Sequence, residues 1–208
     1  MQNKRVFTKH KKYDIVTIIF VILLILTLGY NYFFGSEEKI YRICLTLGTI
    51  LITRFIFSKI FLKESKFSYY CILAFIFSSM YVGNILNIYT VISFYDKILH
   101  LVSGVVIGLI GFIIFVYFNK ENIQNIKVCF AIVFIMSFSI ALAGVWEIWE
   151  FTTDLLFGFN SQNNSLVDTM LDIICGTIGG IISLIPPILY LKNKNNNFVQ
   201  LMLKDIIN

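Results

Sequence analysis

The sequence predicts an all-α fold, a polytopic membrane helix bundle of about six transmembrane helices with both termini cytoplasmic. Three observations predict it. Hydrophobic residues make up 58% of the 208 residues and charged residues 14%, with a mean hydropathy of +0.81; soluble domains are about 45–50% apolar and about 25% charged. Six apolar segments reach the roughly 20 residues that a helix needs to cross a hydrocarbon core. The basic residues alternate from link to link.

The segments run roughly 14–34, 40–61, 68–89, 97–118, 127–151 and 169–191, and the whole chain, 1–208, reads as a single transmembrane domain. The first follows a basic stretch from Lys4 to Lys12. It is too long for a signal peptide and no A-x-A site follows, so it is expected to be an uncleaved span. Short polar links such as GSEEK (35–39) and NKENIQNIK (119–127) join the spans, with no repeat or low-complexity segment. Cys44, Cys71, Cys129 and Cys175 lie apart inside apolar segments without CxxC spacing, and read as small packing residues.

Basic residues set the orientation. Lys4, Arg5, Lys9, Lys11 and Lys12 precede the first span, Lys59, Lys63 and Lys66 flank the second link, and Lys120 and Lys127 the fourth. With Lys192, Lys194 and Lys204 in the C-terminal tail, thirteen of the seventeen basic residues fall on one side. That side is read as cytoplasmic. The net charge of +5 is thereby topological and implies no nucleic-acid partner. The Ile, Phe, Asn and Lys bias fits a bacterial gene of low GC content, so the expected location is a bacterial cytoplasmic membrane, with membrane lipids as the surroundings.

Eight of the twelve acids show the opposite bias: Glu37, Glu38, Asp96, Glu147, Glu150, Asp154, Asp168 and Asp172. Two are link residues. The other six sit at or inside the outer ends of the last three spans, where an ionisable group marks a functional site by default. In the fourth span Asp96 and His100 stand four apart, in line with Gly104, Gly108 and Gly111. In the fifth, Ser139, Ala143, Glu147, Glu150 and Asp154 share one face, and in the sixth, Asp168, Asp172, Gly176, Gly179 and Ser183 do. Small residues let membrane helices approach closely, so the three polar clusters are expected to face one another. Trp146 and Trp149 fit the interfacial aromatic belt.

Five or six carboxylates and one imidazole cannot all stay charged in a low-dielectric site, since each unpaired ion costs several kcal/mol. Three remedies are open: a divalent ion (Mg, Mn, Ca or Zn) on oxygen ligands and one histidine, protonated carboxyls, or a basic side chain. Arg42 is the first candidate by depth, ahead of Lys97 and Lys39. The expected metal ligands are Asp96, His100, Glu147, Asp168 and Asp172, with Glu147 and Glu150 as catalytic carboxylates and Glu150 the general base. Asn160, Gln162 and Asn163 of the link GFNSQNNSLVD (158–168), with Arg42, are candidate substrate-binding residues; the alternative is a plain polar turn with Ser165 capping the sixth helix. Asn84 and Asn87 are weaker candidates. Ser103 and Ser165 have no base beyond His100, His10 sits in the basic tail, and a phosphatase site of the PAP2 kind would need outer basic residues that are missing.

At YDKILHLVSGVVIGLIGF (95–112), WEIWEFTTDLLFG (146–158) and NSLVDTMLDIICGTIGG (164–180) the chain resembles the YjdF-like family of small bacterial inner-membrane proteins. The order D-x-x-x-H, E-x-x-E, D-x-x-x-D covers about half of the chain. More distantly it is similar to the VanZ-like membrane proteins. That pattern has a Gln after its first Glu, an Arg in the next link and an Asn in the last helix; here stand Glu150, no Arg, and Asp172 with its neighbours, so glycopeptide resistance is not implied. The resemblance implies fold and motif and no substrate.

The favoured expectation is a metal-dependent hydrolase or transferase acting on a lipid or cell-envelope precursor. A proton- or cation-coupled transporter is the alternative, but it needs a continuous polar path, and the inner halves of spans four to six offer glycine and apolar residues. A third class is a non-catalytic envelope factor whose polar cluster locks the helices. Substrate, metal identity and oligomeric state stay open at this level.

Overall fold

A computed structural model describes residues 3–121, 123–192 and 196–207. The side chains of Lys4, Arg5, Lys9, His10, Lys11, Lys12 and Lys63, and Lys194 altogether, lie outside the described residues. The described residues form helices and contain no strand. Six helical stretches are long and apolar enough to span a membrane: Ile15–Phe34, Glu37–Lys59, Lys66–Ile85, Tyr95–Asn119, Val128–Phe157 and Leu166–Leu191. They match the six expected segments, and the protein is a multi-pass membrane protein. Large apolar side chains such as Ile19, Leu26, Leu51 and Phe130 are exposed along them, as they must be where the neighbouring solvent is lipid.

The helices group into two compact units, Met1–Asn87 and Ile88–Asn208. The first holds α1 (Asn3–Phe34), α2 (Glu37–Lys59) and α3 (Lys66–Ile76). Ser36 caps α2, with Glu37 and Glu38 in its first turn beside the positive end of the helix dipole. Thr17 shares a buried 2.5 Å hydrogen bond with Tyr69, and Thr27 one of 3.1 Å with Tyr81. The expected third span is not uniform: after Ile76 the chain widens into a π-helical stretch, Phe77–Ile85, and ends at Asn87 with φ 62°. Asn84 lies in that stretch and accepts a 2.7 Å hydrogen bond from Arg42 Nη1.

The second unit comprises α4 (Ile88–Val91), α5 (Tyr95–Asn119), α6 (Val128–Phe157), α7 (Leu166–Ser183), α8 (Ile185–Leu191) and α9 (Asn197–Ile207). Its centre is the seam of α5 on α7. A Cβ at Gly104 would run into the carbonyl oxygen of Gly176, and one at Gly179 into that of Leu101; only glycine permits so close an approach. Ser139 Oγ of α6 donates across the seam to Gly104 O at 3.3 Å. α6 continues six residues past the expected end at 151, because nothing before Gly158 (φ 68°) stops it; that left-handed residue is its C-cap. Pro186 and Pro187 open α8, where a missing N–H costs nothing. The C-terminal tail, noted in the sequence only for its lysines, forms α9, whose Val199, Met202 and Leu203 are buried at the i, i+3, i+4 spacing of an amphipathic helix. Cys44 and Cys129 are exposed rather than packed in the core, and the four cysteines are unpaired.

Gly104→Val is expected to lower stability by at least about 1–3 kcal/mol through overpacking against backbone that cannot move aside. Gly144→Ala, where nothing lies within 4 Å of the added carbon, is expected to leave it unchanged. Thermal unfolding of the two variants in the same detergent compares them.

Candidate functional site

Three helices of the second unit deliver the expected residues to one place. His100, Glu147 and Asp172 are buried, at 4%, 4% and 1% exposure, and Glu150 is at 9%. His100 and Asp172 stand five and six residues inside the first residues of α5 and α7, about 7–9 Å along each axis. The glycine seam brings α7 close enough for its aspartates to reach α5.

The site has two halves. In one, the ammonium of Lys97 lies 2.5 Å from Asp168 Oδ1, 2.7 and 2.8 Å from the oxygens of Asp172, and 3.3 Å from Asp96 Oδ2. These three aspartates make a cage that could hold a metal, and the protein's own cation fills it. This reverses the ranking of basic side chains: Arg42 Nε pairs with Glu38 at 2.9 Å inside the first unit, while Lys97 neutralises the cluster. Depth along the span ranked Lys97 below Arg42, whereas a lysine's long stem lets its ammonium reach the facing helix. The signal was present, since three aspartates on two facing stripes left one ammonium between them.

In the other half, His100 Nε2 lies 3.6 Å from Asp96 Oδ1, 3.7 Å from Glu147 Oε1 and 3.9 Å from Asp172 Oδ1. Glu147 Oε1 and Asp172 Oδ1 are buried and accept no hydrogen bond; the second is within ion-pair distance of Lys97 but lacks hydrogen-bond geometry. Buried carboxylate oxygens normally have partners, so two orphans beside one imidazole mark a place built for something else. The three ligand atoms of His100, Glu147 and Asp172 all lie within 4.8 Å of one another. Around a tetrahedral ion with bonds of about 2.1 Å, ligand atoms stand about 3.4 Å apart, a few tenths of an ångström less than the 3.7 and 3.9 Å that separate His100 Nε2 from the two carboxylate oxygens. Asp96, His100 and Glu150 form a further such group.

Glu150 Oε1 accepts a 2.9 Å hydrogen bond from Trp146 Nε1, so Trp146, expected as a membrane anchor, holds a site carboxylate. Trp149 is exposed. Ser103 Oγ donates to His100 O at 2.8 Å and is turned to the backbone.

The link between α6 and α7 takes part in the site. Asp154, expected on the acidic face, instead accepts from the backbone N–H groups of Ser161 and Gln162 at 2.9 and 3.0 Å. So anchored, Gln162 Nε2 donates to Glu147 Oε2 at 3.2 Å, and Asn163 Nδ2 to Asp168 Oδ2 at 2.8 Å. Asn160 pairs with Asn164 instead, at 2.8 Å. Ser165 caps α7 as expected. Asn163 and Asn164 adopt φ of 51° and 50°, a left-handed conformation that asparagine tolerates. Tyr89 of α4, which no motif singled out, has its phenol pushed upward, first by burial and then by the charges of Asp96 and Glu150; its ring stacks edge-on against Tyr95 at 5.5 Å.

A family model described as predicted membrane protein (DUF2238) matches residues 14–193, and the chain belongs to that family. It is the family to which the YjdF-like motifs pointed. A Thermotoga maritima protein described as uncharacterized is 32% identical over 104 residues, which cover 50% of this chain and 53% of that protein. The match thus spans about half the length of that relative. No solved structure matches the chain.

Lys97→Met is expected to destabilise the protein by up to about 3 kcal/mol, since removing one partner strands buried like charges and Lys97 keeps 24% of its side chain exposed. Arg42→Met is expected to cost less than about 1 kcal/mol, because its partner Glu38 is exposed. Thermal unfolding of both variants decides the order.

Proposed function

We propose that this member of the predicted membrane protein family lies in the bacterial cytoplasmic membrane, with both termini cytoplasmic and the carboxylate–histidine site facing outward. There it acts as a metal-dependent hydrolase or transferase on a lipid or cell-envelope substrate. The observation that carries the reading is the pair of buried carboxylate oxygens, on Glu147 and Asp172, left without hydrogen-bond partners beside His100 Nε2.

His100, Glu147 and Asp172 supply the ligands. Asp96, 3.6 Å from the imidazole, is the reserve ligand, and Asp168 serves through the Lys97 cage. A bound divalent ion would lower the pKa of a water and polarise the bond under attack. Glu150, grouped with Asp96 and His100 and held by Trp146, would serve as general base, accepting the proton of the attacking group and returning it to the leaving group. Oxygen ligands with one imidazole suit Zn, Mn, Mg or Ca. Gln162 and Asn163 are the substrate contacts at the site, with Asn160 a weaker one, while Arg42 is engaged by Glu38 and Asn84 within the first unit.

Structural locking accounts for the Lys97 cage, which ties α5 to α7. It does not account for the unpartnered oxygen of Glu147. A transport path would have to cross the α5–α7 seam, where a single Cβ has no room at Gly104 or Gly179, and this favours a closed-ended site.

Elemental mass spectrometry of detergent-purified protein is expected to find about one divalent ion per chain, with His100→Ala and Glu147→Gln at least tenfold lower at unchanged folding. Metal-free wild type after loading with Mg, Mn, Ca and Zn in turn would falsify the hydrolase reading. For orientation, a single cysteine at Asn160 in a cysteine-free background is expected to react with an impermeant maleimide in intact cells, and one at Lys204 only after lysis. The reverse pattern would invert the topology.

A further inference from the structure

We propose that Lys97 is a positioning residue that sets the metal affinity of the site: its ammonium holds Asp172 and so competes with a divalent ion for that carboxylate. The proposal rests on the metal site described above and concerns its regulation.

Two sets of side chains that can hold a cation share one residue. His100, Glu147 and Asp172 form one set, and Asp96, Asp168 and Asp172 the other. The second is filled by the Lys97 ammonium, 2.5 Å from Asp168 Oδ1, 2.7 Å from Asp172 Oδ1 and 3.3 Å from Asp96 Oδ2. Asp172 Oδ1 also faces the first set, 3.9 Å from His100 Nε2. That one buried atom, which accepts no hydrogen bond, is therefore claimed from two sides. Asp96 is divided in the same way, with Oδ2 toward Lys97 and Oδ1 3.6 Å from His100 Nε2. The cause lies in the spacing: Lys97 and His100 stand three residues apart on α5, so both head groups meet the same stretch of α7.

An ion on His100, Glu147 and Asp172 would stand one carboxylate away from the ammonium. Like charges that close repel strongly at the effective dielectric of a protein, so loading requires the ammonium to withdraw from Asp172. A route for withdrawal exists. The side chains of Lys97 and Asp168 are 24% and 18% exposed, and a flexible lysine stem can carry the ammonium toward Asp168 and water. Asn163 Nδ2 donates to Asp168 Oδ2 at 2.8 Å and keeps that carboxylate in place to receive it. Glu147 Oε1, buried and without a hydrogen bond, belongs to the metal set alone. A lysine that only tied α5 to α7 would loosen the site when removed and weaken metal binding. A competitor does the opposite.

Full-length protein in detergent is titrated with Mn and, separately, with Zn, as wild type, Lys97→Met and Lys97→Arg. The expected result is a Kd at least about tenfold lower for Lys97→Met, and a near-wild-type Kd for Lys97→Arg, which keeps the charge. The gain is expected to vanish in Lys97→Met/Asp172→Asn, because the ammonium acts through that aspartate. Equal or weaker binding by Lys97→Met, or a gain that survives the loss of Asp172, overturns the proposal. Melting temperatures cover the case of an unstable Lys97→Met. Excess Mn or Zn is expected to restore most of the stability lost in EDTA, and a loss that neither metal recovers overturns the proposal as well. The two readings fail separately: metal bound by Lys97→Met and not by wild type keeps the competition and removes the hydrolase, while equal binding by both does the reverse.

Discussion

A charged carboxylate inside a membrane protein is costly unless it is paired, and the second unit is arranged around the pairing that Lys97 supplies. Its ammonium touches Asp96 on its own helix and Asp168 and Asp172 on α7. Those contacts are only as short as the helices are close. The glycines of the α5–α7 seam are thus part of the electrostatic solution: they set a backbone distance at which an aspartate on one helix reaches a lysine on the other. Without the seam the acids would be separate and expensive; without the ammonium the seam would press like charges together.

The carboxylates consequently divide into two sets. Asp96, Asp168 and both oxygens of Asp172 lie beside Lys97, and this set ties helices. Glu147 and Asp172 Oδ1 also gather around His100, where Glu147 Oε1 and Asp172 Oδ1 accept no hydrogen bond. Networks left partly satisfied in a low-dielectric interior are unfavourable for folding. Asp172 belongs to both sets and couples them.

Rigid placement comes from outside the cluster. Gly158 ends α6 in a left-handed turn, Asp154 pins the following backbone, and that brings Gln162 over Glu147. One oxygen of Glu147 is thereby held while the other is left facing His100. Trp146 does the same for Glu150. A site whose groups are fixed before a ligand arrives loses less on binding it.

Much of this was legible along the chain. The six spans follow from hydropathy and length, and the three inward faces from the spacing of Asp96 with His100, Glu147 with Glu150, and Asp168 with Asp172. Both are properties of one helix at a time, written in a 3.6-residue period. What crosses between helices carries no such period. That Lys97 rather than Arg42 is the partner cation, that Asp154 serves the loop, and that α6 and α7 part to leave a cleft depend on distances between segments 71 to 75 residues apart or on the path of an irregular loop. The sequence by itself determined which faces are polar; only the tertiary structure decided which charges meet, because an ion pair is specified by separation in space and not by spacing in the chain.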